Sequence, residues 1–144
     1  AGSVCLAERD RRIFFSGDSI QGRGPRRPLL FQSSSHYLRS MRRLSSESID
    51  VLVTGHSMPP FMEPVLTGDK PKMLVEESIR GILKLNERVL EALRSASKPV
   101  NLSEMAERLV DARPSTVGCV LEKLVEEGRA EKRRVEKEIL WRAT

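Results

Sequence analysis

Two dipeptides in the N-terminal half place a side chain with metal-binding chemistry directly after an apolar run. Gly17-Asp18 closes the stretch "RRIFFSGD", and Gly55-His56 closes "IDVLVTGH". Carboxylate and imidazole groups are both ligands for zinc, manganese or iron. If the two strands are parallel neighbours, both side chains emerge at the same edge of the sheet, where α/β proteins place their sites. An aspartate after a strand is also a common turn former, so these two pairs alone leave a purely structural interpretation open.

The elements that must position these residues are predicted from periodicity and turn signals. Two apolar stretches around "RDRR" predict a hairpin from about Ser3 to Ser16, and "SIQGRGPRRPLLFQSSS" predicts a long irregular loop. The spacing in "HYLRSMRRL" predicts a helix with Ser35 as its N-cap. The continuous apolar run in "IDVLVTGH" predicts a strand buried on both faces, and "SMPPFMEP" predicts a proline-rich turn. A glycine before Asp18 and before His56 lets the backbone turn sharply at each strand end.

The C-terminal part has a helical period followed by a strand pattern. A long helix is predicted from Lys72 to just before "SASKPVN", and Asn101 with Glu104 forms a capping-box pattern for a short helix. A further helix is predicted with Ser115 as its cap and Gly128 as its C-terminal glycine. The last stretch, "AEKRRVEKEILWRA", predicts two short strands around a charged turn. This order of elements is typical of a winged helix-turn-helix domain, placed at residues 86–144.

The composition is that of a globular protein with an unevenly distributed positive charge. The 144 residues are 39% hydrophobic and 31% charged, with neither a membrane-helix nor a signal-peptide pattern. Nine Arg and five acidic residues in residues 1–50 account for most of the net charge of +5. This excess includes the loop "GRGPRR", which can attract an anionic substrate or simply be a solvated loop. Cys5 and Cys119 are expected to be buried free thiols of a cytoplasmic protein. The start at Ala1, almost inside a strand, leads us to expect a fragment or a processed chain.

Three motifs in order resemble the C-terminal half of the metallo-β-lactamase fold hydrolases. They are "GSVCLAERDRRIFFSGDSI", "YLRSMRRL" and "IDVLVTGHSMPPF", within about residues 1–61. In that family a Gly-Ser-Val strand leads to a Gly-Asp whose aspartate bridges two metal ions, and a later strand ends in a Gly-His whose histidine binds the second metal. The resemblance therefore implies metal ligands at Asp18 and His56. Tyr37 and Ser40 match the intervening helix, where Met41 replaces the family's leucine.

The resemblance implies an α+β fold with three parts. These are the C-terminal half of an αββα metallo-β-lactamase sandwich at residues 1–68, a connecting helix at 69–85, and a winged helix-turn-helix domain at 86–144. One branch of the superfamily carries such a C-terminal appendage. The implied activity is hydrolysis of an ester, thioester or phosphodiester in a small molecule or RNA, with two divalent metal ions, zinc by expectation, activating water.

Two departures from the family pattern limit what this chain can do alone. Ser57 follows His56 where the family has glycine, and the signature His-x-His-x-Asp-His is absent. A catalytic zinc needs about three protein ligands of its own, so one carboxylate and one imidazole are too few. We therefore expect this chain to be inactive unless its site is completed elsewhere. His36, the other histidine, matches no ligand of the family and is expected at the surface.

The alternative function is nucleic-acid binding or dimerisation through the winged helix. Arg133 and Arg134 in the predicted wing are candidate phosphate contacts. Against nucleic acid, residues 98–144 carry ten basic and nine acidic residues, and Lys123 is the sole basic residue of the predicted recognition helix. Packing or homodimerisation is therefore the other role that this domain can have.

Overall fold

A computed structural model of the chain describes residues 4–144 and shows a mixed α+β fold with two sheets. Ser3, the predicted start of the first hairpin, lies outside the described residues, as does the rest of the predicted Gly-Ser opening. The elements in chain order are β1 (Leu6–Glu8), β2 (Ile13–Gly17), α1 (Ser34–Ser45), β3 (Val51–Thr54), β4 (Val65–Thr67), α2 (Lys70–Arg94), α3 (Leu102–Arg108), α4 (Pro114–Glu126), β5 (Ala130–Val135) and β6 (Glu138–Ala143).

The N-terminal sheet contains four strands in the order β1-β2-β3-β4. Strands β1 and β2 form the predicted antiparallel hairpin, and β2 pairs with β3 in parallel after the crossover through α1. Strand β4 pairs antiparallel with β3 and was not predicted, because a three-residue strand after a proline-rich turn has too little periodicity to detect.

One face of this sheet is buried and the other is open. Phe14, Leu52 and Leu66 point inward and pack with residues of α1 and α2. On the opposite face, paired positions of the four strands place Leu6, Phe15, Val53 and Val65 in one row. The prediction that the third strand is buried on both faces was wrong, since Val51 and Val53 on this open face are only half-buried.

Helix α1 begins earlier than predicted. Its N-cap is Ser33, whose side chain accepts a hydrogen bond from the Ser35 backbone N–H. Ser35 itself lies in the first turn, and its hydroxyl donates to the Glu126 carboxylate at 2.6 Å. Consecutive serines all suit an N-cap by propensity, so the sequence does not distinguish Ser33 from Ser35.

Helix α2 is continuous over Lys70–Arg94, so the proposed boundary between residues 85 and 86 falls within one helix. Ser78 and Asn86 are buried on this helix, and their polar atoms face neighbouring segments. The Ser78 hydroxyl accepts from the Gly22 backbone N–H at 2.8 Å, and Asn86 Oδ1 accepts from the Ser34 hydroxyl at 3.3 Å. The single helix thus packs against the loop and α1 of the N-terminal part as well as against α4.

The C-terminal part has the predicted order of helix, short helix, helix and hairpin. The capping box of Asn101 and Glu104 is confirmed, as is the C-terminal glycine, since Gly128 has a φ of +69° after the C-cap of α4. The predicted cap Ser115 was wrong: the N-cap is Arg113, and Pro114 occupies the first turn, where its missing N–H costs nothing. Trp141 of β6 also pairs with Val100, which attaches the hairpin to the segment before α3.

The two hydrophobic clusters of the described chain are joined. One lies under the N-terminal sheet and the other among α2, α3, α4 and the hairpin, and Tyr37 and Ile79 pack against both. Both cysteines are free thiols; Cys119 is buried as predicted, whereas Cys5 is only half-buried. Within residues 4–144, no helix combines the length and apolar character that a bilayer span requires.

Candidate metal-binding site

Asp18 and His56 lie together at one edge of the N-terminal sheet. Because β2 and β3 are parallel neighbours, the residues that follow them leave the sheet side by side. His56 Nδ1 lies 2.7 Å from Asp18 Oδ1, which is hydrogen-bonding distance. When Nδ1 carries the proton, it donates to the carboxylate and leaves Nε2 free as an acceptor. The sequence predicted this pairing only on condition that the strands were parallel neighbours, and they are.

The two glycines allow this approach in different ways. Gly17 has a φ of +49°, the left-handed region in which a side chain is costly. Gly55 is not left-handed, but a Cβ at this position would lie 2.8 Å from Asp18 Oδ1 and 3.1 Å from the Gly17 carbonyl carbon. The Gly55 backbone N–H also donates to the Gly17 carbonyl oxygen at 2.8 Å. Gly17 thus provides the turn, and Gly55 provides the space for the Asp18 carboxylate.

Thr54 supports the loop that carries the histidine, and the sequence reasoning did not single it out. Its buried hydroxyl donates to the His56 carbonyl oxygen at 2.7 Å, and its backbone N–H donates to the Pro64 carbonyl oxygen at 2.8 Å. The hydroxyl therefore fixes the backbone on both sides of Gly55. The signal in the sequence was a β-branched polar residue as the last residue of an apolar strand.

The donor types of this pair suit zinc, but their number does not complete a site. Oxygen and nitrogen ligands of one tetrahedral zinc lie about 3.4 Å apart, so the 2.7 Å contact between Nδ1 and Oδ1 is a hydrogen bond and not the spacing of two ligands on one ion. The Asp18 and His56 side chains are 54% and 71% exposed, which leaves both free to turn an unprotonated acceptor atom toward a metal ion. Across the part of the chain that the structure describes, no group of three or more His, Cys, Asp or Glu side chains is placed to hold a metal ion. Asp18 and His56 can therefore provide part of the ligand set of a metal site, but not all of it.

Among the described residues, the other candidates form no hydrogen bond or ion pair with Asp18 or His56, although His36 lines the same cavity as Asp18. His36 is exposed on α1, as expected, with Nδ1 3.3 Å from Gln32 Oε1. Arg133 and Arg134 belong to the separate two-stranded sheet of β5 and β6. Both are exposed, and Arg133 lies 4.0 Å from the Glu131 carboxylate.

A cavity of about 740 Å³ opens beside the pair, between the hairpin strands and α1. Asp18 lines it and His56 does not. Tyr37 and Ser40, which matched the helix motif by sequence, contribute to its wall. Burial raises the pKa of the Tyr37 phenol, so this hydroxyl is neutral at physiological pH.

Comparisons with known proteins show where this fold occurs. The sequence matches no protein-family model and no curated protein. A solved metallo-beta-lactamase family protein from Thermus thermophilus superimposes with a TM-score of 0.74 at 18% identity, over 97% of this chain and 44% of that one. A beta-lactamase domain protein from Burkholderia ambifaria gives a TM-score of 0.69 at 15% identity, over 97% of this chain and 43% of that one. The chain thus spans less than half the length of these solved structures. What the likeness establishes is the fold: the described α+β arrangement, including the C-terminal helices and hairpin, is similar to part of metallo-beta-lactamase family proteins.

Proposed function

We propose that this chain forms part of a metal-dependent hydrolase in which Asp18 and His56 are metal ligands. The observation that carries the proposal is their position: a carboxylate and an imidazole 2.7 Å apart, at the end of two parallel strands, in a fold similar to metallo-beta-lactamase family proteins. The remaining ligands would come from residues outside this chain. We propose the division into residues 1–68, 69–85 and 86–144 as before, with residues 86–144 as a winged helix-turn-helix domain and a cytoplasmic location for the protein.

The open face of the sheet supports the proposal that residues 1–68 are half of a sandwich. Leu6, Phe15 and Val65 are 66%, 47% and 50% exposed in one cross-strand row. A sheet normally covers an apolar face with another layer of structure. The solved structures are more than twice as long as this chain. A second sheet in the corresponding part of the same protein would bury this row and bring further ligands toward the Asp18–His56 edge.

The residues of this chain would hold and orient the reacting centre. When bound, a pair of divalent metal ions, zinc by the donor types present, would supply activated water for attack on an ester, thioester or phosphodiester. Asp18 would contribute carboxylate oxygens and His56 one ring nitrogen. Gly55 and Thr54 would keep these two side chains at the same edge by the contacts described above.

The test uses the protein encoded by the complete reading frame that contains this chain. Metal content after dialysis is measured by mass spectrometry for wild type, Asp18→Asn, His56→Ala and the matched control His36→Ala. We expect both site variants to weaken metal retention by more than the ~10–100-fold that loss of an outer-shell partner costs. His36→Ala should behave as wild type. A wild-type protein without metal, or site variants that keep it fully, would overturn the assignment.

Nucleic-acid binding is retained as a second candidate because of the hairpin. Arg133 is 80% exposed in its side chain, and neither Arg134 nor Lys137 has a carboxylate partner among the ion pairs of the described residues. Lys123 on α4 is instead buried and paired with Glu127, so the helix offers little to phosphate. A gel-shift titration with labelled RNA and DNA tests this: binding should be salt-dependent and weaken in the double variant Arg133→Ala, Arg134→Ala. Unchanged binding in that variant would exclude this surface.

A further inference from the structure

The cavity beside Asp18 is a groove under the edge strand β1. The small side chains of Cys5, just before β1, and Ala7, within β1, line the cavity, as does Phe14 of the neighbouring strand β2. Met41 of α1 packs with Phe14 of β2 and Leu52 of β3, whereas Ala7 of β1 is exposed. The result is a cavity of about 740 Å³, which is a size that holds a small-molecule ligand.

The strand directions define the two ends of the groove. Strand β1 runs antiparallel to β2, so Arg9, just after β1, lies at the opposite end from Asp18, just after β2. Helix α1 connects two parallel strands and must run back along them, which brings Arg43 and Glu47 to the Arg9 end. The four-residue advance along β2 from Ile13 to Gly17 corresponds to about 13 Å.

Much of the wall between these ends is apolar, although polar side chains such as Ser40 and Gln21 also line it. Phe14, Leu30 and Met41 are buried hydrophobic residues that line the cavity, and Leu44 lines it from the last turns of α1. Ligand pockets typically combine such walls with a few charged groups that set orientation. An alkyl or acyl chain would contact this wall along its length.

The two ends carry opposite charge. Arg9 lies 3.6 Å from the Glu47 carboxylate, and these two charges largely offset each other. Arg43 forms no ion pair among the described residues, so the end of the groove at Arg9 is positive. The Asp18 carboxylate makes the opposite end of the groove negative in the protein without metal. An anionic group would therefore be attracted to Arg43 and repelled from Asp18, which fixes the direction of a bound chain.

We propose that this groove binds an amphipathic anion, with its apolar chain against Phe14 and Met41 and its carboxylate or phosphate on Arg43. The uncharged end of that chain would then lie beside Asp18. The consequence for substrates rests on the proposed hydrolase function: the groove would select esters whose chain ends in an anionic group about 13 Å from the ester. As a statement about binding, it concerns this chain alone and needs no metal.

Calorimetric titration of this chain in metal-free buffer tests the inference. The probe is dodecyl phosphate below its micelle concentration, with inorganic phosphate and dodecyltrimethylammonium as the head-only and opposite-charge controls. We expect one dodecyl phosphate per chain and much weaker binding of both controls. Equal binding of dodecyltrimethylammonium would show a non-specific apolar surface, and equal binding of inorganic phosphate would show an anion site without a chain groove. Either result would overturn the proposal.

Two variants and one matched control locate the ligand. Arg43→Gln should weaken dodecyl phosphate by about tenfold, the cost of one charge-assisted contact. Arg42→Gln, on the same helix but outside the groove, should leave it unchanged. Ala7→Leu should fill the groove and abolish binding while circular dichroism shows a folded chain. Equal effects of Arg43→Gln and Arg42→Gln would refute the placement of the anion.

The outcome is distinguishable from that of the hydrolase proposal. Asp18→Asn should retain or strengthen dodecyl phosphate binding, because it removes a repulsive charge, although it should weaken metal retention. If wild type does not bind dodecyl phosphate but the complete protein retains metal, the groove inference fails and the metal assignment stands. If wild type binds dodecyl phosphate but the complete protein retains no metal, the metal assignment fails and the groove inference stands.

Discussion

At the scale of single residues, the site depends on the absence of a β-carbon at Gly55. Asp18 reaches His56 across a space that any β-carbon on Gly55 would enter, and the backbone bond from Gly55 to Gly17 keeps the two loops in contact. The requirement is steric and local. It differs from that of Gly17, where the left-handed backbone itself disfavours other residues.

Gly55→Ala should therefore move the Asp18 carboxylate away from His56 while destabilising the fold only slightly. The new methyl group displaces the exposed Asp18 carboxylate, a flexible group, while the Gly17 carbonyl carbon must yield slightly. We expect a loss below ~1 kcal/mol in the free energy of unfolding, since overpacking at a site that can relax falls at the low end of its usual cost. A crystal structure should show the distance between His56 Nδ1 and Asp18 Oδ1 beyond hydrogen-bonding range.

Gly118→Ala is the matched control for that variant. A Cβ at Gly118, inside α4, meets only the Leu102 side chain at 3.7 Å, which is ordinary contact. Alanine should stabilise the helix by ~0.5–1 kcal/mol and leave the Asp18–His56 distance unchanged. An intact pair in Gly55→Ala would show that the missing β-carbon is irrelevant to the site.

At the scale of elements, the N-terminus of α1 is tied to the end of α4 by one carboxylate. Glu126 accepts hydrogen bonds from the Ser33 hydroxyl at 2.9 Å and the Ser35 hydroxyl at 2.6 Å. These bonds, with that from Ser35 the larger effect, lower the pKa of Glu126 below its usual value of 4.5. The carboxylate thus holds both the N-cap Ser33 and the first-turn residue Ser35 against the end of α4.

The lowered pKa gives this contact a defined pH dependence. Because the folded-state pKa lies below the unfolded one, the stabilisation is complete above the usual carboxyl range and is lost as the pH falls through the folded value. The difference in unfolding free energy between wild type and Glu126→Gln should therefore shrink between about pH 7 and about pH 3. Urea denaturation at several pH values measures it. Glu107→Gln, on an exposed residue of α3, should show no such trend, and a constant difference for Glu126→Gln would refute the tie.

At the scale of the whole molecule, the long loop before α1 connects the sheet to the C-terminal helices. The Thr116 hydroxyl of α4 accepts from the Leu30 backbone N–H at 3.1 Å and donates to the Pro28 carbonyl oxygen at 2.8 Å. The Arg26 backbone N–H donates to the Asp111 carbonyl oxygen at 2.6 Å. Together with the shared packing of Tyr37 and Ile79, these bonds predict that the described chain unfolds as one unit.

Thr116→Val tests this connection. Valine keeps the shape but leaves a buried N–H and a buried carbonyl without their partner, which should cost about 2 kcal/mol. Denaturation followed by Trp141 fluorescence and by far-UV circular dichroism should give one coincident transition in wild type and variant. Thr144→Val is the control, because that hydroxyl makes one exposed bond to the Gly128 carbonyl oxygen. Separate transitions for the two probes would mean that the two clusters unfold independently.

The sequence by itself determined the features that depend on a few neighbouring residues. The capping box at Asn101, the glycine after α4, the first and last hairpins and the strand ends at Asp18 and His56 were all predicted, since propensities and turn chemistry act locally. Tertiary structure decided the rest. The parallel pairing of β2 with β3, strand β4 and the groove beneath β1 depend on contacts between segments far apart in the chain. Such contacts are selected by which apolar faces can be buried together, and no local pattern encodes that choice.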